Sequence, residues 1–207
     1  MSKPMRYSWR LATLAPFIAL AGCVSLGGAE PPDSLLTLTS EARAAAGDAY
    51  SGTRAETLAV HVPETTAAID VLRIPVQVDD ATIAYVTDAV WVEKPARLFR
   101  RVVAETIRVE TGQLVIDGDD PSLFADSHLR GTLREFGYDA RSASVIVRFD
   151  AIRTGDDGMV ETRRFEAMEQ GISANAIPIG SALNRASNDV ARQIAAWLKA
   201  PAEDAES

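Results

Sequence analysis

Hydrophobic and polar residues change their rhythm three times along this chain. Leu11 to Ala21 is almost unbroken apolar sequence behind a short basic stretch. Residues 24 to 56 show no periodicity, and from Thr57 onward alternating and helical spacings take over. Leu58-Ala59-Val60-His61-Val62 alternates as a strand does. Ile69 to Val78 is largely apolar, with Asp70, Arg73 and Gln77 as polar breaks and Pro75 as an interruption. Thr82 to Val86 and Ala89 to Val92 suggest a hairpin turning at Thr87-Asp88. Pro95 then opens a helix that Gly112 closes, with Leu98, Phe99, Val102, Val103 and Ile107 on one face. Gln113 to Ile116 reads as a strand. His128 to Tyr138, Ala143 to Ile152 and Met159 to Ile172 read as an antiparallel meander joined by Gly- and Asp-containing turns. Pro178 to Lys199 carries Leu183, Val190, Ile194, Trp197 and Leu198 at helical spacing.

Two helices with one apolar stripe each, and strands that alternate, are both satisfied by one arrangement. The expected fold is α+β: a single domain with a mixed, mainly antiparallel sheet and two amphipathic helices packed on one face. The chain divides into a leader at 1–22, Cys23 with a tether to residue 56, a domain at 57–200 and an acidic tail at 201–207. Within the Gly-, Ala-, Ser- and Pro-rich tether, Ser34 to Thr39 is a β-prone island expected to be pinned to the domain as an edge strand.

The front of the chain has the three parts of a secretion signal: basic Lys3 to Arg10, an apolar run of about 11 residues, then small residues. Such a run is short of the ~20 residues a spanning helix needs, and Pro16 interrupts it. It ends Leu20-Ala21-Gly22-Cys23, which resembles the lipobox read by lipoprotein signal peptidase. On this reading Cys23 is the lipidated residue, and it is the only cysteine in the chain. The competing reading, an ordinary signal with an incidental cysteine, leaves the single thiol at the one place that needs it. Acyl chains on Cys23 would anchor the protein durably, at about 0.8 kcal/mol per buried CH₂. Position 24 is Val rather than Asp, which favours the periplasmic face of the outer membrane over the inner membrane in lipoproteins of the enterobacterial type.

Net charge is −8 for the whole chain, and loss of Lys3, Arg6 and Arg10 leaves 18 basic residues against 29 acidic ones, or −11. A body of that sign is repelled by phosphate backbones, which argues against nucleic-acid binding. Little else points to chemistry. His61 and His128 are the only histidines, so zinc sites built from His and Cys are not expected. Ser181 follows Gly180 without the flanking glycine of a nucleophile elbow, and is expected to cap the last helix. Asp117, Asp119 and Asp120 lack the terminal Glu of a calcium loop and read as a solvated turn. The basic pairs Arg100-Arg101 and Arg163-Arg164 read as solvated or ion-paired, and Trp91 and Trp197 as core. No enzyme and no cofactor are expected.

The order Ile74-Pro75-Val76, then Ile83-Ala84-Tyr85-Val86, then Trp91-Val92-Glu93-Lys94-Pro95 and an amphipathic helix resembles the ABC-type transport auxiliary lipoproteins. That family includes the lipoprotein partner of the paraquat-inducible MCE system. Leu36-Thr37-Leu38 stands where its members usually have an aromatic, and Val90 where an Arg is frequent. The resemblance implies a non-catalytic auxiliary component, with an MCE-domain protein and an ABC permease and ATPase as partners, in a system moving lipids or other hydrophobic molecules between membranes. Tyr85, Trp91 and Pro95 are then family-motif positions with a structural role. Self-association and a lipid ligand are both compatible with such a role. The alternative is a structural or assembly lipoprotein that partners an outer-membrane barrel.

Overall fold

The computed structural model describes residues 34–118, 122 and 124–200. Its centre is the expected meander of β6 (Ser127–Asp139), β7 (Ser144–Thr154) and β8 (Val160–Glu169). Period-two alternation builds it: Val145, Val147, Phe149 and Ala151 are buried, while Asp150 and Ile152 between them face the other way. β7 pairs antiparallel with both neighbours, through Phe136↔Val147 on one side and Phe149↔Phe165 on the other.

The second edge of β6 is shared by three short strands laid end to end, all parallel to it. These are β1 (Leu58–Val60), β2 (Glu64–Thr65) and β3 (Arg73–Gln77), with registers Val60↔Leu129, Glu64↔Thr132 and Val76↔Tyr138. β5 (Val115–Ile116) adds parallel to β1, and β4 (Ile83–Val90) adds antiparallel to β3. The result is a mixed sheet of eight strands.

One expected turn is a bulge instead. β4 runs through Thr87-Asp88 without reversing, and its register jumps between Pro75↔Tyr85 and Arg73↔Val90. The extra β4 residues bow out of the ladder, with Asp88 at φ 57°. Aspartate tolerates that left-handed conformation, which makes the same dipeptide look like a turn in the sequence. The real hairpin turn lies at residues 78–82, where the Ala81 N–H donates to the Asp79 carboxylate and the Val78 N–H to the Thr82 carbonyl.

α1 (Pro95–Thr111) starts at Pro95 and stops at Gly112, which adopts φ 72° and donates its N–H to the Arg108 carbonyl. α2 (Ala176–Lys199) begins two residues before Pro178, so Ser181 sits inside the helix and does not cap it. Phe99 of α1 meets Phe149 at 5.4 Å between ring centroids, and Trp197 of α2 meets Phe165 at 5.5 Å. Phe149 and Phe165 are cross-strand partners, so both helices cover the same face of the sheet. The core lies between them.

The Ser34–Thr39 island, expected to be pinned, joins the domain at Leu36, and the following stretch to Ala44, expected to be tether, is bound as well. Leu36 donates to the Val90 carbonyl and accepts from Val92, both at 2.8 Å, forming a parallel bridge to Trp91. The expected pinned strand is therefore a single bridge. Past it, the backbone is held by helix side chains: the Thr39 N–H donates to Asn184 Oδ1, the Glu41 N–H to Asn188 Oδ1 and the Ala44 N–H to Glu105 Oε1. Such a strap shows no periodicity because its partners are side chains rather than a ladder.

Candidate functional site

Leu20, Ala21, Gly22 and Cys23 lie outside the described residues. The three family-motif positions lie within them, in β4, just beyond its end and at the first position of α1. Trp91 is 1% exposed and stacks at a tilt on Phe136, with 5.6 Å between centroids. Its indole Nε1 is buried without a hydrogen-bond acceptor among the described residues, an uncompensated cost that aromatic packing offsets. Its backbone N–H donates to the Leu72 carbonyl at 2.8 Å, so Trp91 locks the strap, the bulged strand and the start of β3 together. Tyr85, half-buried, lies across from Pro75 under the Arg73 guanidinium, 5.2 Å from its ring centroid. Pro95 is buried at the first turn of α1.

Asn188 was not singled out by sequence reasoning. It is 1% exposed, and its amide accepts from the Glu41 N–H at 2.8 Å while donating to the Thr39 carbonyl at 2.9 Å. This reproduces the pairing of a strand edge with a side chain. The available signal was Asn184 and Asn188 at i, i+4 on the flank of an otherwise apolar helix stripe.

Beside Tyr85, a cleft of about 310 Å³ opens between the turn at 66–69, the β3–β4 hairpin and the adjoining ends of β6 and β7. Pro75, Gly137 and Ile146 line it with Ile83, while Arg134 and Arg141 supply charge. Arg141 is held by Asp80 at 2.5 Å and by Asp139. That size is at the low end for small-molecule pockets, roughly 300–1,000 Å³. Asp80, Glu135 and Asp139 line it as well, so the guanidinium charges are matched by carboxylates within the cleft wall.

The outer face of the meander carries interlocked ion pairs. Asp150 accepts from Arg164 at 2.6 Å and from Arg134 at 2.9 Å, while Arg148 bridges Glu135 and Glu166. The hydrogen bond from Arg164 is the main reason the Asp150 carboxyl is held far below the ordinary carboxylate range; burial opposes it, and the bond and charge of Arg134 reinforce it. The expected pairing of the basic dipeptides is seen here and at Arg101–Glu93, 2.5 Å apart, whereas Arg163 lies over the Phe165 ring.

His61 and His128 meet each other, with Nε2 and Nδ1 3.2 Å apart. Burial, and then Arg130, lower the proton affinity of His128. Among the described residues no group of three or more His, Cys, Asp or Glu converges to hold a metal ion. The described features are a cleft of mixed polarity, a charged sheet face and a bound strap.

The model of the ABC-type transport auxiliary lipoprotein component matches residues 36–195. The chain belongs to that family. The match begins at Leu36, where the strap joins the sheet, and takes in all of α1 and α2 up to residue 195. Two solved structures share the auxiliary-component fold. A protein from Xanthomonas campestris is 17% identical, with a TM-score of 0.62, covering 79% of this chain and 94% of that one. An uncharacterized protein is 13% identical, with a TM-score of 0.60, covering 72% of this chain and 96% of that one. At those identities the likeness concerns the fold. No curated protein sequence matches this one. As an auxiliary lipoprotein component, the protein is associated with an ABC transport system of the bacterial cell envelope.

Proposed function

We propose that this protein is the lipid-anchored, non-catalytic component of an MCE-type ABC system that moves lipids or other hydrophobic molecules between the inner and outer membranes. Cys23, acylated after cleavage behind Leu20-Ala21-Gly22, holds it at the periplasmic face of the outer membrane. The strapped domain presents its surface to an MCE-domain protein, and a separate permease and ATPase supply the pathway and the energy. The observation that carries this reading is the family match over residues 36–195 downstream of a lipobox cysteine. The acidic mature body supports it, because that body needs an attachment other than a basic surface.

The test is affinity purification of the full-length lipoprotein from detergent-solubilised envelopes of a host encoding an MCE-domain protein. The MCE-domain protein should co-purify in stoichiometric amount. Capture of a barrel protein alone, or of no MCE-domain protein, would overturn the assignment.

A further inference from the structure

His61 and His128, the only histidines of the chain, are brought together by two neighbouring strands. Val60 and Leu129 are buried in the core on the helix side, opposite each other in the parallel register of β1 and β6. Period-two alternation then turns the next residue after β1, His61, and the residue before Leu129, His128, to the other face. The His61 N–H still donates to the Leu129 carbonyl at 3.0 Å, which fixes its backbone against β6. Ala59, directly across from His128, carries only a methyl group, so the imidazole can lean diagonally over it toward His61. The half-buried rings sit 5.3 Å apart at 51°, with Nε2 of His61 and Nδ1 of His128 separated by 3.2 Å.

That separation also suits metal binding. Two imidazole nitrogens bound to one ion at about 2.1 Å each lie roughly 3.0–3.4 Å apart when the angle between them is about 90–110°. We propose that His61 Nε2 and His128 Nδ1 together bind a divalent transition-metal ion of the zinc, nickel or copper class, with water filling the remaining positions. Imidazole suits those ions, whereas magnesium and calcium prefer oxygen ligands. Both rings bind in the neutral form. The proton lying between them moves to the far nitrogen of its own ring, so atoms and charge balance. Burial, and then Arg130, hold His128 toward that neutral form, with Arg54 acting in the same sense and Asp126 against it. Asp126 is also the carboxylate that favours a cation there, although Arg54 pairs with it at 2.9 Å. The facing strand β7 adds no charge, since Thr154 lies across from His128 and Ile152 across from Arg130. Two protein ligands leave the ion exchangeable, unlike the four of a closed structural zinc site. Its effect on the fold is to staple the end of β1, a strand of three residues, to the start of β6.

The experiment uses the mature, full-length lipoprotein in detergent, stripped of metal with a chelator and dialysed. Zn²⁺, Ni²⁺ and Cu²⁺ are titrated calorimetrically into the parent, His61→Gln and His128→Gln, with Mg²⁺ as the control for the acidic surface. Circular dichroism checks each fold. The parent should bind one transition-metal ion per chain, and Mg²⁺ far more weakly. Because the two ligands are linked on one scaffold, loss of either should weaken binding roughly a hundredfold. Ni²⁺ should raise the melting temperature of the parent and leave both variants unmoved. Electron paramagnetic resonance of the Cu²⁺ form of the parent should show coupling to two imidazole nitrogens, a signature that does not depend on how the variants fold. Absence of saturable binding, or unchanged affinity in either variant, would overturn the site and leave the pair as a hydrogen bond alone. Equal affinity for Mg²⁺, or a Cu²⁺ spectrum without imidazole coupling, would place the ion on carboxylates and overturn it as well.

Discussion

Asn188 sits in the middle of α2, and its amide gives the strap the two hydrogen bonds that a neighbouring strand would have provided. Truncation to alanine leaves the Glu41 N–H and the Thr39 carbonyl without those partners in a partly buried setting. Asn188→Ala should therefore cost about 1–3 kcal/mol. Urea unfolding would measure the loss, and faster hydrogen exchange at Glu41 would localise it. An unchanged midpoint and exchange rate would show that the strap is held by other contacts. Asp150 sets a pH dependence of definite sign. Its native carboxyl titrates below its unfolded value, so its ion pairs stabilise the fold above the ordinary carboxylate range. That contribution disappears as the pH falls through the native value. Asp150→Asn should be less stable than the parent at pH 6, and the gap should narrow steadily on acidification. High salt should shrink the gap as well, because Arg134 and Arg164 are half-exposed. A gap that is constant with pH would assign the effect to packing.

Among the elements, β4 depends most on its surroundings. Its bulge at Asp88 lets Val86, Ala89 and Trp91 all reach the core, while Val90 still pairs with Arg73. Trp91 is the fixed point, fully buried against Phe136 and bridged to Leu36. Trp91→Ala should destabilise by about 3–5 kcal/mol, and Trp91→Phe should recover much of that by keeping the ring contact. Comparison of their thermal melts decides between a packing role and a purely backbone role, in which the two variants would behave alike. At Gly112 the left-handed φ of 72° ends α1, and an alanine there should cost on the order of 1 kcal/mol. The boundaries of α1 were legible because proline and glycine act locally. The bulge was not, since a left-handed Asp occurs equally in a turn and in an interrupted ladder.

Across the whole molecule, anchor and fold are separable. The family match and the described contacts of the domain begin at Leu36, thirteen positions beyond Cys23. Cys23→Ala should therefore release the protein from the membrane fraction while leaving its circular dichroism and melting temperature unaltered. Retention of that variant in washed membranes would remove acylation as the means of attachment. The strap changes the mechanical picture of the tether. Residues 36–44, of which 40–44 read as linker in the sequence, tie α1, α2 and β4 together.

From the sequence alone came what is periodic or punctuated: the meander, both helix stripes, the start and stop of α1 at Pro95 and Gly112, and the α+β class. Those signals need only near neighbours, because alternation and helical spacing report which side of an element is buried. They do not report what buries it. Folding decided that β1, β2 and β3 share one edge of β6 and that Thr39 meets Asn184 across 145 positions. Each of these is a pairing between distant segments. Distant partners leave no mark in local spacing, since many arrangements satisfy the same stripe.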